Sequence, residues 1–231
     1  MSRSTRILST KKLKPNQKQF LLNAGFSIVE ADFIRTTQLP FQLEGVNENL
    51  IFTSQNAVKA VSEHPEVQEI RRNPVFCVGE KTADLLDEVG FTVIESAGNA
   101  SELAEIIVRN YASESFTFFS GNIRRNELPE ALQSADIEMN EIEVYETELT
   151  PVKIQSKIDG ILFFSPSAVK SFSMDNELSA DAYFCIGQTT ADYLVKTLGS
   201  NPSAITNIII ANQQTIESTI AKAINHFNQK I

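Results

Sequence analysis

Short apolar runs alternate along this chain with stretches in which apolar residues return every three or four positions. The runs are rich in Phe, Ile and Val and read as buried strands; the periodic stretches between them read as helices packed by one face. The pattern predicts strands at 5–9, 26–34, 49–53, 74–78, 91–95, 115–119, 137–145, 159–164, 182–186 and 205–210, with a helix after nearly every one. Punctuation supports the boundaries. Pro15 falls in a first helical turn, where a missing N–H costs nothing. Gly25 and Gly90 stand where helices stop, and Asn99 with Glu102 has capping-box spacing. Two polar, Pro-containing stretches, 35–45 and 146–152, break the alternation and read as linkers.

Strands alternating with helices specify parallel sheets covered by helices on both faces. Right-handed crossovers gather the strand-to-helix turns along the C-terminal strand edges, where such folds bind ligands. The pattern also repeats. I-F-T-S-Q-N-A-V at 51–58 returns as L-F-F-S-P-S-A-V at 162–169, so Ser165 follows Ser54 by 111 positions. F-C-V-G-E-K-T-A at 76–83 returns as F-C-I-G-Q-T-T-A at 184–191, 108 positions on. The opening segment pairs at 111 as well: Ser9 with Ser120, Leu21 with Leu132, Glu30 with Glu141, Thr36 with Thr147 and Pro40 with Pro151. This reads as an internal duplication. The expected architecture is two flavodoxin-like, doubly wound parallel-sheet α/β domains joined by a two-stranded linker. Residues 1–35 with 152–231 would form a discontinuous first domain and 46–144 an inserted second one, connected by 36–45 and 145–151.

Composition narrows the function. Twenty Lys and Arg against 29 Asp and Glu give a net charge of −9, which argues against nucleic acid as a partner. A local cluster of cations and helix N-termini remains compatible with a small anion. Neither a membrane-length apolar run nor a signal peptide is visible, so the expectation is a cytoplasmic protein that engages no membrane. Cys77 and Cys185 occupy matching strand ends and read as buried free thiols. His64 and His226 lie on polar segments and have no evident partner. No nucleophile triad, metal-ligand spacing, Walker A motif or dinucleotide fingerprint is present, so no metal and no cofactor is expected.

Three kinds of turn hold candidate chemistry. Ser54 and Ser165 stand at helix N-cap positions, and a helix N-terminus is a ready anion site. Gly79 and Gly187 permit tight turns followed by hydroxyls at Thr82, Thr189 and Thr190. Ser120-Gly121-Asn122-Ile123-Arg124-Arg125 resembles a phosphate-type turn with two guanidiniums behind it. Ordinary capping and turn formation account for each feature taken alone.

Taken in order, I-F-T-S-Q-N-A-V, V-G-x-x-T-A, S-G-N-x-R with Leu128 following, V-Y-E-T, F-F-S-P-S-A-V and I-G-Q-T-T-A resemble the uroporphyrinogen-III synthase family over nearly the whole chain. The resemblance implies a cofactor-free lyase with its active site in a cleft between two domains. Its substrate would be the linear tetrapyrrole hydroxymethylbilane, closed with loss of water and inversion of ring D. It places Thr53, Ser54, Asn56, Thr82, Gly121, Asn122, Arg124, Ser165, Ser167, Thr189 and Thr190 at the substrate, with Tyr145 assisting loss of the hydroxyl. Lys11, in S-T-K-K where many members read T-R-P, would replace an Arg as an anion contact. A monomer, supplied with substrate by the deaminase that makes it, is the expectation. The runner-up is a non-catalytic ligand-binding or regulatory protein of the same fold.

Overall fold

The computed structural model describes residues 4–199 and 207–228. In chain order the elements are β1 (Arg6–Ser9), α1 (Pro15–Asn23), β2 (Ser27–Glu30), β3 (Ile34–Gln38), β4 (Asn49–Phe52), α2 (Gln55–Ser62), β5 (Pro74–Val78), α3 (Glu80–Glu88), β6 (Thr92–Ala97) and α4 (Ala100–Asn110). They continue as β7 (Phe116–Gly121), α5 (Glu127–Ser134), β8 (Met139–Leu149), β9 (Gly160–Phe163), α6 (Pro166–Asp175), β10 (Ala182–Cys185), α7 (Gln188–Leu198), β11 (Ile208–Ile210) and α8 (Ile216–Asn228). The chain divides into two compact units, Met1–Arg35 with Glu148–Ile231, and Thr36–Thr147.

The first unit holds a parallel sheet in the order β11-β10-β9-β1-β2. Its central strands are buried on both faces, as parallel sheets require. In β9, Ile161 and Phe163 join one apolar cluster with Phe33, Val169 and Tyr183, while Leu162 joins the other with Leu21, Phe184 and Phe227. Alternation along a single strand therefore feeds two cores, one beneath each helical layer. Gly160 opens the strand because a Cβ there would stand 2.8 Å from Phe227 and 2.9 Å from Ile7.

The second unit's sheet runs β3-β8-β7-β4-β5-β6. Leu50 and Phe52 of β4 pack into one cluster with Val58, Phe119 and Val144; Ile51 packs into the other with Phe76, Leu103, Phe118 and Leu132. The Phe52 and Phe119 rings stack at 5.2 Å. Each such side chain contributes about 1.5–3 kcal/mol by leaving water, and removing either ring would cost about 3–5 kcal/mol.

The parallel strands β8-β7-β4-β5-β6 follow the same order as β2-β1-β9-β10-β11 when β7 is set on β1. Strand register fixes the correspondence residue by residue. Ser9 faces Glu30 and Leu162. Phe118 faces Glu141 and Ile51. Ser9 therefore corresponds to Phe118 rather than to Ser120. The two residues of difference are taken up in the turn after β7, and the helices return to the 111 spacing, where Leu21 and Leu132 are both fully buried.

Two expected boundaries change. The run 26–34 is split: β2 ends at Glu30, and Phe33 turns inward to contact Phe172. The polar stretches 35–45 and 146–152 are partly strand. β3 covers 34–38 and β8 continues to Leu149, with Leu39 N–H donating to Val144 C=O at 3.0 Å. Backbone pairing at an exposed edge needs no apolar side chains, so within the expected linker strands 36–45 and 145–151 periodicity marks no bounds. Residues 36–45 and 145–147 cluster with the second unit. Of the expected strand 205–210, β11 covers 208–210, and 205 and 206 lie outside the described residues.

Candidate active site

The C-terminal strand edges carry the turns singled out above. Ser54 caps α2 by accepting the Asn56 N–H at 3.1 Å, and Ser165 caps α6 by accepting the Ala168 N–H at 3.1 Å. Pro166 occupies the first turn of α6, where its lost donor is harmless. Thr53 and Ser167 are half-buried and Asn56 is exposed. The serine oxygens therefore perform capping, and the partial positive charge of the helix N-terminus stands beside each.

The glycine turns match in sequence but differ in conformation. Gly79 has φ +88°, in the left-handed region, and its carbonyl accepts the Thr82 N–H at 2.9 Å. Gly187 is extended (φ −167°, ψ 173°), and its carbonyl accepts the Thr190 N–H at 3.2 Å. There the absent side chain makes room for Gln214, which would lie 3.3 Å from a Cβ. Thr82 and Thr190 are buried, whereas Thr189 is exposed.

The turn after β7 is an ion-pair network. Arg124 donates from Nε to Glu141 Oε1 and from Nη2 to Oε2, both at 2.6 Å, and Nη1 reaches Asn126. Ser120 Oγ donates to Glu141 Oε1 at 2.6 Å. Burial raises the Glu141 carboxyl, but the hydrogen bonds from Arg124 and Ser120 and the guanidinium charge outweigh it and hold the group below its ordinary range. The same bonds push Arg124 up. In this structure the Arg124 fork is occupied by a carboxylate of its own chain, and Arg125 stands 3.3 Å from Glu127.

The turn after β1 behaves similarly. Leu13 N–H donates to Glu30 and Lys12 N–H to Asp32, both at 2.8 Å, while Lys11 remains exposed. Glu30 and Glu141, matched in sequence and register, each reach back to the donors of the preceding turn.

Tyr145 is packed against the chain. Its ring lies over Gly121: a Cβ on Gly121 would stand 2.4 Å from both Cε2 and Cζ. The residue is 8% exposed and joins the cluster of Phe52, Phe119 and Val144. Asn122 ties the same strand, its Oδ1 accepting the Thr147 N–H at 2.9 Å and its Nδ2 donating to Thr147 C=O at 3.3 Å. Gly121 and Asn122, expected as ligand contacts, thus hold β8.

Sequence reading missed partners for both histidines. His64 stacks on Phe41 at 4.7 Å, and its Nδ1 accepts the Glu66 N–H at 3.2 Å. His226 packs edge-on against Phe184. Both are half-buried, not exposed, and ring contacts across a fold have no signature in local polarity. Among the described residues, no group of three His, Cys, Asp or Glu is placed to hold a metal ion, and no helix is long and apolar enough to cross a membrane.

The fold and these turns define a class: an α/β protein with parallel sheets whose strand ends present capped helix N-termini and hydroxyls, with a tyrosine packed within β8. The sequence model of the family described as uroporphyrinogen-III synthase HemD matches residues 18–221, and the chain belongs to that family. A uroporphyrinogen-III synthase of Schizosaccharomyces pombe is 29% identical over 81% of this chain and 81% of its own length. One of Saccharomyces cerevisiae is 27% identical over 68% of this chain and 70% of its own. Among solved structures, uroporphyrinogen-III synthetase of Helicobacter pylori matches the fold with a TM-score of 0.68 at 20% identity, covering 96% of this chain and 99% of that one.

Proposed function

We propose that this protein is a uroporphyrinogen-III synthase: it closes hydroxymethylbilane to uroporphyrinogen III with loss of water and inversion of ring D. The observation that carries the reading is the family match across 18–221. The chemistry agrees with it. The bilane carries carboxylates along its whole length, and helix N-termini with nearby hydroxyls suit them. Thr53, Ser54, Asn56 and Thr82 in one unit, and Ser165, Ser167, Thr189 and Thr190 in the other, are the proposed contacts, with Lys11 as an exposed cation. Arg124 takes part only by exchanging Glu141 for a substrate carboxylate.

The reaction needs two things from the protein. The bilane must be folded so that the substituted carbon of ring D attacks, which is catalysis by orientation. The departing hydroxyl must also receive a proton as it leaves as water, and Tyr145 is the proposed hydrogen-bond donor. The matched strand orders and registers support a duplicated pair of flavodoxin-like domains as the scaffold. The proposed setting is a cytoplasmic monomer receiving its substrate from the deaminase. The test is the rate at which freshly generated hydroxymethylbilane disappears. Catalysed loss above the spontaneous rate supports the reading; an unchanged rate with folded protein rejects it.

A further inference from the structure

Strand β8 carries an irregularity where Tyr145 sits. Ser120 faces Glu143, but the next residue of β7, Gly121, faces Tyr145. Val144 is the extra residue of a β-bulge. In a regular strand, neighbours point to opposite faces, yet Val144 and Tyr145 both join the cluster of Phe52 and Phe119 on one face of the sheet. Bulges re-aim side chains in this way and recur beside active sites. The turned ring then needs a partner without a side chain. Gly121 supplies it, because any Cβ there would stand within 2.4–2.9 Å of three ring atoms. Beyond the bulge, the Asn122 amide makes the two bonds to Thr147 that a paired strand would make, and Asn122 N–H also donates to Tyr145 C=O at 3.3 Å. The strand is thereby fixed on both sides of the tyrosine. Gly121 has no side chain to offer a ligand, and the Asn122 amide is already engaged at both of its ends.

We infer that Gly121 and Asn122 are positioning residues for Tyr145: the bulge, the bare glycine and the amide clamp together hold the phenol where the reaction needs it. This rests on the proposed synthase reading, in which Tyr145 assists departure of the hydroxyl. The role calls for a ring that does not swing, since a displacement on the order of 1 Å in a catalytic group costs up to about 100-fold in rate.

The test compares Gly121→Ala, Asn122→Ala and Asn122→Asp, each alone and in a Tyr145→Phe background, in steady-state assays with urea melts beside them. Gly121→Ala is expected to lower kcat by ~10–100-fold with KM little changed. The same change adds little to kcat loss once the phenol is gone. Asn122→Ala follows in the same direction, and Asn122→Asp, which keeps the acceptor for Thr147 N–H, restores part of the rate. If Gly121→Ala does not fold, the Asn122 pair decides alone. Lower stability with unchanged kcat per folded molecule would overturn the inference, as would equal kcat losses in both backgrounds. Failure of the underlying reading looks different: wild-type protein that forms no isomer III, or Tyr145→Phe that turns over normally.

Discussion

Arg124 grips Glu141 by both carboxylate oxygens, at 2.6 Å each, while Ser120 holds one of the same oxygens. Both partners of the ion pair are about a quarter exposed, with side chains 28% accessible, so the pair should contribute about 1 kcal/mol. Its pH dependence has a definite sign. The folded carboxyl lies below its ordinary 4.5, so near and below that pH the unfolded chain binds more protons. The contribution is complete above 4.5 and disappears as pH falls through the lower folded value. Arg124→Met should weaken the protein at pH 7 and flatten stability between pH 5 and the folded value. Urea melts across that range check this; an unchanged acid limb would contradict it.

Ser54 and Ser165 predict a paired result. Each side-chain oxygen satisfies one helix N–H, so Ser→Ala at either should cost about 1 kcal/mol of stability. The two caps share no partner, so the double variant should lose about 2 kcal/mol. If the helix N-termini also receive substrate carboxylates, KM for the bilane rises in both variants. Denaturant melts and steady-state kinetics on the same preparations separate the effects.

Gly79 and Gly187 look interchangeable in sequence and should not be so in the laboratory. Gly79→Ala forces a side chain into φ +88° with ψ 136°, a sparsely populated region that costs about 1–3 kcal/mol. Gly187→Ala keeps an extended backbone and needs only the Gln214 side chain to shift, so its loss is smaller. Equal losses in melting experiments would show that the two turns adopt one conformation.

Cys77 and Cys185 are fully buried, and burial pushes both thiols up, Cys185 to about 12. Neither should react with an aromatic disulfide reagent at pH 8 in the native protein, and both should react after unfolding. The linkage has the opposite sign from that of Glu141. The folded thiols keep protons that unfolded ones release above 9.0, so stability falls as pH rises beyond that point. Fast labelling of native protein would contradict this burial.

The strands and helices were legible because buried parallel strands are apolar throughout and amphipathic helices are not. Ser54, Ser165 and Asn99 announced their caps through residue type alone; Asn99 Oδ1 accepts the Glu102 N–H at 3.0 Å. Strand β3 left no hydrophobic periodicity, since its residues 35–38 are exposed and polar; the linker strand expected over 36–45 came from the matched pairs Thr36/Thr147 and Pro40/Pro151, and its bounds did not. Matching Ser9 to Ser120 by spacing misread the register, because two residues inserted in a turn leave identities aligned on only one side of it. The Tyr145 ring on Gly121 was invisible for a different reason. A bulge changes which face a side chain takes without altering any residue type. The expectation for Arg124 was a ligand carboxylate, and nothing in S-G-N-I-R-R points to one of the chain's own 17 positions away.

The account rests on which ring carbon attacks, and the product isomer reports it directly. Porphobilinogen and a purified deaminase supply hydroxymethylbilane to this protein; the products are oxidised and the uroporphyrin isomers separated by chromatography. The account predicts that isomer I gives way to isomer III as protein is added. Isomer I alone, from protein shown to be folded, would contradict it.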